Sequence, residues 1–145
     1  LALRTPLAIG TLQWGTTWID HHLINPKGCI TEQQAKDIVH AFSKQGVTLW
    51  DTAEGYGGGT SERRLGRVTS AHRDTIYMTK FLTVPWRYSH KCLENAVRAS
   101  CKRMNIACID IYLLHSPIHW RSIEFWVEAC AKCKKLGLIK TMGLS

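Results

Sequence analysis

Short apolar runs alternate with amphipathic segments along this chain, and successive runs end in polar residues able to do chemistry. Val47-Thr48-Leu49-Trp50 runs into Asp51, Thr75-Ile76-Tyr77-Met78-Thr79 ends at Lys80, and Ile109-Asp110-Ile111-Tyr112-Leu113-Leu114 ends at His115-Ser116-Pro117. Their β-branched and aromatic content reads as strand. A first short strand, Leu7-Ala8-Ile9, ends at Gly10-Thr11, and a fifth, Leu138 to Leu144, leads to Ser145. The steps from Asp51 to Lys80, from Lys80 to His115 and from His115 to Ser145 are 29, 35 and 30 residues, each the length of one strand–helix unit. Strands joined by helical crossovers run parallel, so the predicted class is α/β.

Four helices fill the intervals. Thr31-Glu32-Gln33-Gln34 has the form of a capping box. It opens a helix with Ala35, Ile38, Val39 and Phe42 on one face, ended by Gly46 in a left-handed cap. Gly55-Tyr56-Gly57-Gly58-Gly59 is a glycine-rich loop, after which Ser61 is expected to cap a short helix with Glu62 in its first turn. Ser89 caps a helix carrying Leu93, Val97, Cys101 and Met104, and the last helix, Ile123 to Leu136, stops at Gly137.

In a parallel sheet with helical crossovers, the carboxyl ends of all strands lie on one face, and in a (β/α)8 barrel that face holds the active site. A whole barrel takes about 250 residues, so the 145 residues here hold five strands and four helices of a partial (β/α)8 TIM barrel. A doubly wound sheet would place its G-x-G-x-x-G turn after the first strand; the glycines here follow the second. The chain opens on Leu1 and closes on Met142-Gly143-Leu144-Ser145. It is expected to be one domain, 1–145, cut before the last three strand–helix units.

On the barrel reading Asp51, Lys80 and His115 converge, with Tyr56 close to Asp51. A free phenol yields its proton too reluctantly near neutral pH, but a lysine ammonium beside it favours the phenolate. Asp51 can hold that lysine, and His115 can hydrogen-bond a carbonyl oxygen. The set suits carbonyl reduction.

Other classes are less well served. The net charge of +8 permits phosphate-bearing partners, but Arg63, Arg64 and Arg67 read as a solvated face. Lys132, Lys134, Lys135 and Lys140 read as cations favoured near a helix carboxyl end. Nucleic-acid binding would want a reading helix or stacking aromatics, and none stands out. Asp or Lys breaks the longest apolar stretches, which argues against a membrane span. The irregular spacing of Cys29, Cys92, Cys101, Cys108, Cys130 and Cys133 suits reduced thiols in a cytoplasmic or similarly reducing compartment, a plastid included. Cys130 and Cys133 form a C-x-x-C, but late in a helix and three or four residues from Trp126 and Val127; burial as small apolar residues is expected over redox or zinc chemistry. Pro117 opposes a helical His115–His119 zinc pair, and His21-His22 has no partner motif, so no metal is expected.

Asp51-Thr52-Ala53-Glu54-Gly55-Tyr56-Gly57, Ser61-Glu62 and Leu65-Gly66 resemble the signature of the aldo-keto reductases. So do Thr79-Lys80-Phe81, the segment 110–117 and the segment 137–145. Thr79-Lys80-Phe81 followed by Pro85-Trp86-Arg87 is similar to the plastid-type, pyridoxal-reductase-like branch. The resemblance implies a (β/α)8 barrel and an oxidoreductase that uses NADP(H) to reduce a small-molecule aldehyde or ketone. It implies a catalytic tetrad of Asp51, Tyr56, Lys80 and His115, with Tyr56 the general acid. Gly10, Thr11, Asp51 and Ser145 would meet the cofactor, and Leu12, Trp14, Trp86 and Trp120 would line the substrate pocket. The alternatives are a binding subunit resembling the potassium-channel β-subunits, or an inert truncated copy.

Overall fold

A computed structural model describes residues 5–15, 30–115 and 120–145. The expectations for Cys29, His21-His22, Ser116-Pro117 and His119 lie outside the described residues. Among these residues five strands form one sheet: β1 (Ala8–Gly10), β2 (Leu49–Asp51), β3 (Ile76–Leu82), β4 (Ile109–His115) and β5 (Ile139–Leu144). They lie in sequence order and every adjacent pair is parallel. Four α-helices make the crossovers: α1 (Glu32–Lys44), α2 (Thr60–Val68), α3 (His90–Met104) and α4 (Ile123–Lys135). A sheet that never reverses its strand order has no topological switch point, which excludes the doubly wound rival. The architecture is five consecutive units of a (β/α)8 barrel.

Local chemistry sets the helix ends as expected in most places. Thr31 Oγ1 accepts from Gln34 N at 3.1 Å while Gln34 Oε1 accepts from Thr31 N at 2.8 Å, completing the capping box of α1. Gly46 and Gly137 adopt φ of 78° and 70°, the left-handed conformation that lets the chain leave a helix. Ser89 and Ser122 cap α3 and α4.

Three boundaries differ from the sequence expectation, each for a physical reason. β2 is shorter than Val47–Trp50 suggested, because β1 offers it only three partners, Ala8, Ile9 and Gly10. β3 does not stop at Lys80 but runs to Leu82, where the Glu54 carboxylate accepts from Leu82 N at 2.6 Å. Ser61 is not a cap: α2 starts at Thr60 after the left-handed Gly59, and the Ser61 hydroxyl turns inward.

Alternation divides the sheet into two faces. Trp50, Phe81, Tyr112 and Leu114 face the helices and are buried with Val39, Leu65, Leu93, Val97, Met104 and Trp126. The Phe81 and Trp126 rings lie 5.1 Å apart. Cys130 and Cys133 are buried in this layer. Burial pushes the Cys130 thiol up to about 12 and raises Cys133 as well, as packing thiols should behave. On the inner face Gly10, Asp51, Met78, Ile111 and Thr141 form one row across the whole sheet, with Lys80, Leu113 and Gly143 in the row above.

Charges bind the outer layer. Glu62, expected to serve the helix dipole, is fully buried; its oxygens accept from Thr79 Oγ1 at 2.7 Å and from Arg103 Nε. Arg67 pairs with Glu32, tying α2 to α1, and Arg64 donates to Ile30 O, so the arginine face is not merely solvated. Lys140 lies on β5 and pairs with Asp110 rather than joining the cations at the end of α4. At Gly66 a Cβ would stand 2.2 Å from Met104 O, so only glycine lets α2 lie this close to α3.

Candidate active site

The carboxyl ends of β2, β3 and β4 bring Asp51, Lys80 and His115 together, and the turn after β2 adds Tyr56. Lys80 is the centre of the group. Its ammonium donates to Asp51 Oδ1, to Thr52 O at 2.9 Å, and points at Tyr56 Oη from 3.4 Å. It also lies 5.0 Å from the Tyr56 ring centroid. The side chain of Lys80 is only 4 % exposed, against 28 % for Asp51. A buried ammonium with three donors needs three acceptors, and the fold supplies a carboxylate, a carbonyl and a phenol.

His115 meets Tyr56 edge-on, with ring centroids 5.9 Å apart and planes at 84°. Partial burial, with the Lys80 charge adding to it, holds the imidazole below the ordinary histidine range, against a weaker upward pull from Asp51 and Glu54. It is therefore neutral near pH 7 and keeps one N–H to donate. Its Nδ1 is buried with no hydrogen-bond partner among the described residues.

A buried hydroxyl cluster fixes the two turns beneath. Thr11 Oγ1 donates to Asp51 O at 3.0 Å and lies 2.7 Å from Ser61 Oγ. Ser61 Oγ lies 2.9 Å from Thr52 Oγ1 and donates to Thr11 O at 2.8 Å. Thr11 is fully buried and its side chain is spent on these contacts. It braces Asp51 from behind.

The other sequence candidates fall into two groups. Gly10, opposite Asp51 in the ladder, is open: among the described residues a Cβ there would meet nothing within 4 Å. Ser145 is exposed and its backbone N–H reaches Leu114 O at 3.0 Å, next to His115. Trp86 and Trp120 are exposed on the turns after β3 and before α4, joined where Trp120 Nε1 donates to Pro85 O at 3.1 Å. Leu12 and Trp14 share a hollow with Gly10 itself. They line an apolar cavity of about 440 Å³ with Ile9, Ile30, Ile38 and Phe42, and the buried Trp14 ring packs on Trp50 at 5.6 Å.

Sequence reasoning misses four contributors. Thr52 offers Lys80 a backbone carbonyl, which no side-chain motif can signal. Ser61 has the local signature of a cap, because a serine before a helix usually is one. Glu54 and Arg87 belong to the motifs, but the motifs give them no role. Their ion pair joins two turns far apart in sequence, and no spacing rule finds it.

Residues 6–145 match the profile of the Aldo/keto reductase family. Pyridoxal reductase, chloroplastic, of Arabidopsis thaliana is 27% identical over 97% of this chain and 41% of its own length. Methylglyoxal reductase YeaE of Escherichia coli is 33% identical over 69% of this chain and 34% of its own. Among solved structures, an aldo/keto reductase from Klebsiella pneumoniae in complex with NADP and acetate superposes with a TM-score of 0.70 at 26% identity, covering 94% of this chain and 44% of that one. The holo form of an aldo-keto reductase from Bacillus halodurans gives 0.73 at 25% identity, covering 96% and 45%. The chain thus spans well under two thirds of the relatives it matches.

Proposed function

The chain belongs to the aldo/keto reductase family, and from that premise we propose that it carries the reacting part of an NADP(H)-dependent oxidoreductase that reduces aldehydes or ketones to alcohols. The observation that supports this best is the seat of Lys80 Nζ, held by Asp51 and Thr52 O with Tyr56 Oη 3.4 Å away. Residues 1–145 then form one domain, five of the eight units of a barrel whose remaining units hold the far end of the cofactor.

Each member of the group has a task. Tyr56 donates its proton to the substrate oxygen as that oxygen gains charge. Lys80 stabilises the phenolate left behind, at a point where low exposure strengthens the interaction. Asp51 holds the ammonium in place and balances its charge. Neutral His115 donates its one N–H to the same substrate oxygen, which orients the carbonyl. The nicotinamide, when bound, supplies the hydride. The residues present fit that group: Gly10 leaves bare backbone beside Asp51, and Gly10, Asp51 and the exposed Ser145 at the end of β5 would be the residues that hold it. In this reading Thr11 contributes by bracing Asp51, and Trp86 and Trp120 form the apolar lip over which substrate enters. Leu12 and Trp14 shape the turn that carries Thr11.

The test is oxidation of NADPH by the full-length protein with 4-nitrobenzaldehyde as a generic substrate. A positioned acid contributes roughly 10²–10⁴-fold, so Tyr56→Phe is expected to lose that much of kcat. Turnover unchanged by this substitution removes Tyr56 from the role of proton donor.

A further inference from the structure

Two residues outside the tetrad connect the turns on which it stands. Glu54 lies three residues after Asp51 and two before Tyr56; its side chain is almost fully buried. Its carboxylate leaves its own turn and crosses to the end of β3. There Oε1 accepts from Leu82 N at 2.6 Å and from Arg87 Nη1, and Oε2 accepts from Arg87 Nη2 at 3.1 Å. Arg87 Nη1 also donates to Leu82 O at 3.2 Å, and the guanidinium rests on the Phe81 ring at 4.8 Å. Leu82 follows Lys80 by two residues and stands beside His115 in the β3–β4 register.

The ladder between β2 and β3 shows what this achieves. Thr52 N donates to Met78 O at 2.8 Å and Glu54 N to Lys80 O at 3.4 Å, beyond the end of β2 itself. The next rung would need a backbone carbonyl to meet Leu82 N, but the chain has already turned away toward Tyr56. The Glu54 side chain supplies that acceptor. Arg87 then closes the rung from the far side, with a bidentate pair whose planar geometry lysine cannot reproduce.

We propose that Glu54 and Arg87 act as positioning residues, a charged clamp that fixes the Tyr56 turn against the strand carrying Lys80. This rests on the reading of Tyr56 and Lys80 as the proton-donating pair. With the clamp in place Tyr56 Oη and Lys80 Nζ keep a single separation. Without it, the backbone of the turn from Ala53 to Tyr56 keeps the weaker rung at Glu54, and the long Lys80–Tyr56 contact has to hold the phenol in place. A misplacement of about 1 Å at a reacting group costs on the order of 10²-fold in rate.

The experiment uses the full-length protein with Glu54→Gln, Glu54→Ala and Arg87→Lys, read in two ways. The first is kinetic. Glu54→Gln and Arg87→Lys are expected to lower kcat about ten- to a hundredfold while KM for NADPH stays within twofold, and the double variant is expected to be no worse than the worse single one. The second is amide hydrogen exchange. Protection at Leu82 is expected to vanish in Glu54→Ala and survive in Glu54→Gln, which keeps an oxygen acceptor, while α3 and β4 keep their protection. A purely structural role would lower the melting temperature and the active fraction but leave kcat per folded molecule unchanged; that result overturns the clamp. Unaltered protein that reduces no carbonyl overturns the reaction reading instead, and the kinetic role falls with it. If Glu54→Ala does not fold, Arg87→Lys carries the kinetic test and Glu54→Gln the exchange test, and retention of full kcat in both is decisive against the proposal.

Discussion

The sheet contains two lysine–aspartate pairs built between strands, and they are inverted copies of each other. At the carboxyl ends, Lys80 is 4 % exposed and its partner Asp51 28 %; at the amino ends, Lys140 is 58 % exposed and its partner Asp110 7 %. In the first pair the cation is sealed in, and its remaining donors are turned on Thr52 O and Tyr56 Oη. In the second the anion is sealed in, and its second oxygen accepts from Tyr77 N at 2.9 Å. A buried cation facing a phenol can lend its charge to a proton transfer. A buried anion facing a backbone amide can only finish a hydrogen-bond ladder. The same two residue types thus serve chemistry at one end of the strands and stability at the other, and which partner loses its water decides between them.

Exchanging the two lysines for a neutral side chain of similar length tests that contrast most severely. Lys80→Met is expected to lose 10²-fold or more of carbonyl-reducing kcat, because the phenolate is left without its cation. Lys140→Met is expected to leave kcat within twofold and to change stability by less than about 1 kcal/mol, since an exposed lysine gains little from its pair. Equal loss of activity in both variants breaks the comparison. On the anionic side the order reverses for stability. Asp110→Ala strands Tyr77 N without an acceptor and is expected to destabilise the fold by about 1–3 kcal/mol in a urea titration.

A small effect comes from pH. The buried Cys130 thiol titrates at about 12 in the fold against an ordinary value of 9. Because the folded value is the higher one, the thiol's contribution is complete below pH 9 and is lost as pH rises above it. Stability is expected to fall by about 1 kcal/mol between pH 9 and 10 for one such thiol, and Cys130→Ala should remove that share of the fall, leaving the shares of Cys101 and Cys133, whose thiols burial also raises. Lys140 is raised by its bond to Asp110, so its part is lost only above the ordinary lysine value of 10.5. A decline between pH 9 and 10 that is undiminished in Cys130→Ala would assign it to the other groups.

The five strands and the helix faces were legible because period and capping are local. The Thr31 box, the Ser89 cap and the turn at Gly137 each lie within a few residues of sequence, and each stands as read. The convergence of Asp51, Lys80 and His115 was legible for a different reason: once the strands run parallel, their carboxyl ends have nowhere else to go. What escaped is what depends on a partner from another unit. Ser61 turned inward to Thr11 and Thr52, Glu62 found Arg103, and Lys140 found Asp110. In each, a local rule gave a reasonable answer that a long-range contact replaced. The extension of β3 past Lys80 is the same case, since its last rung is a side chain from the neighbouring turn.

The bare position at Gly66 reaches further than its own helix. Curling a sheet toward closure needs the covering helices to follow the bend without forcing each other apart, and α2 and α3 manage it with backbone against backbone at Met104. A methyl group at Gly66 would act as a wedge in the outer wall. The wall would widen there, the sheet inside would flatten, and β2 and β3 would rotate relative to each other. Asp51 and Lys80 are carried on those two strands, so the radius of curvature set by one hydrogen atom on the outside governs how well two charges meet on the inside.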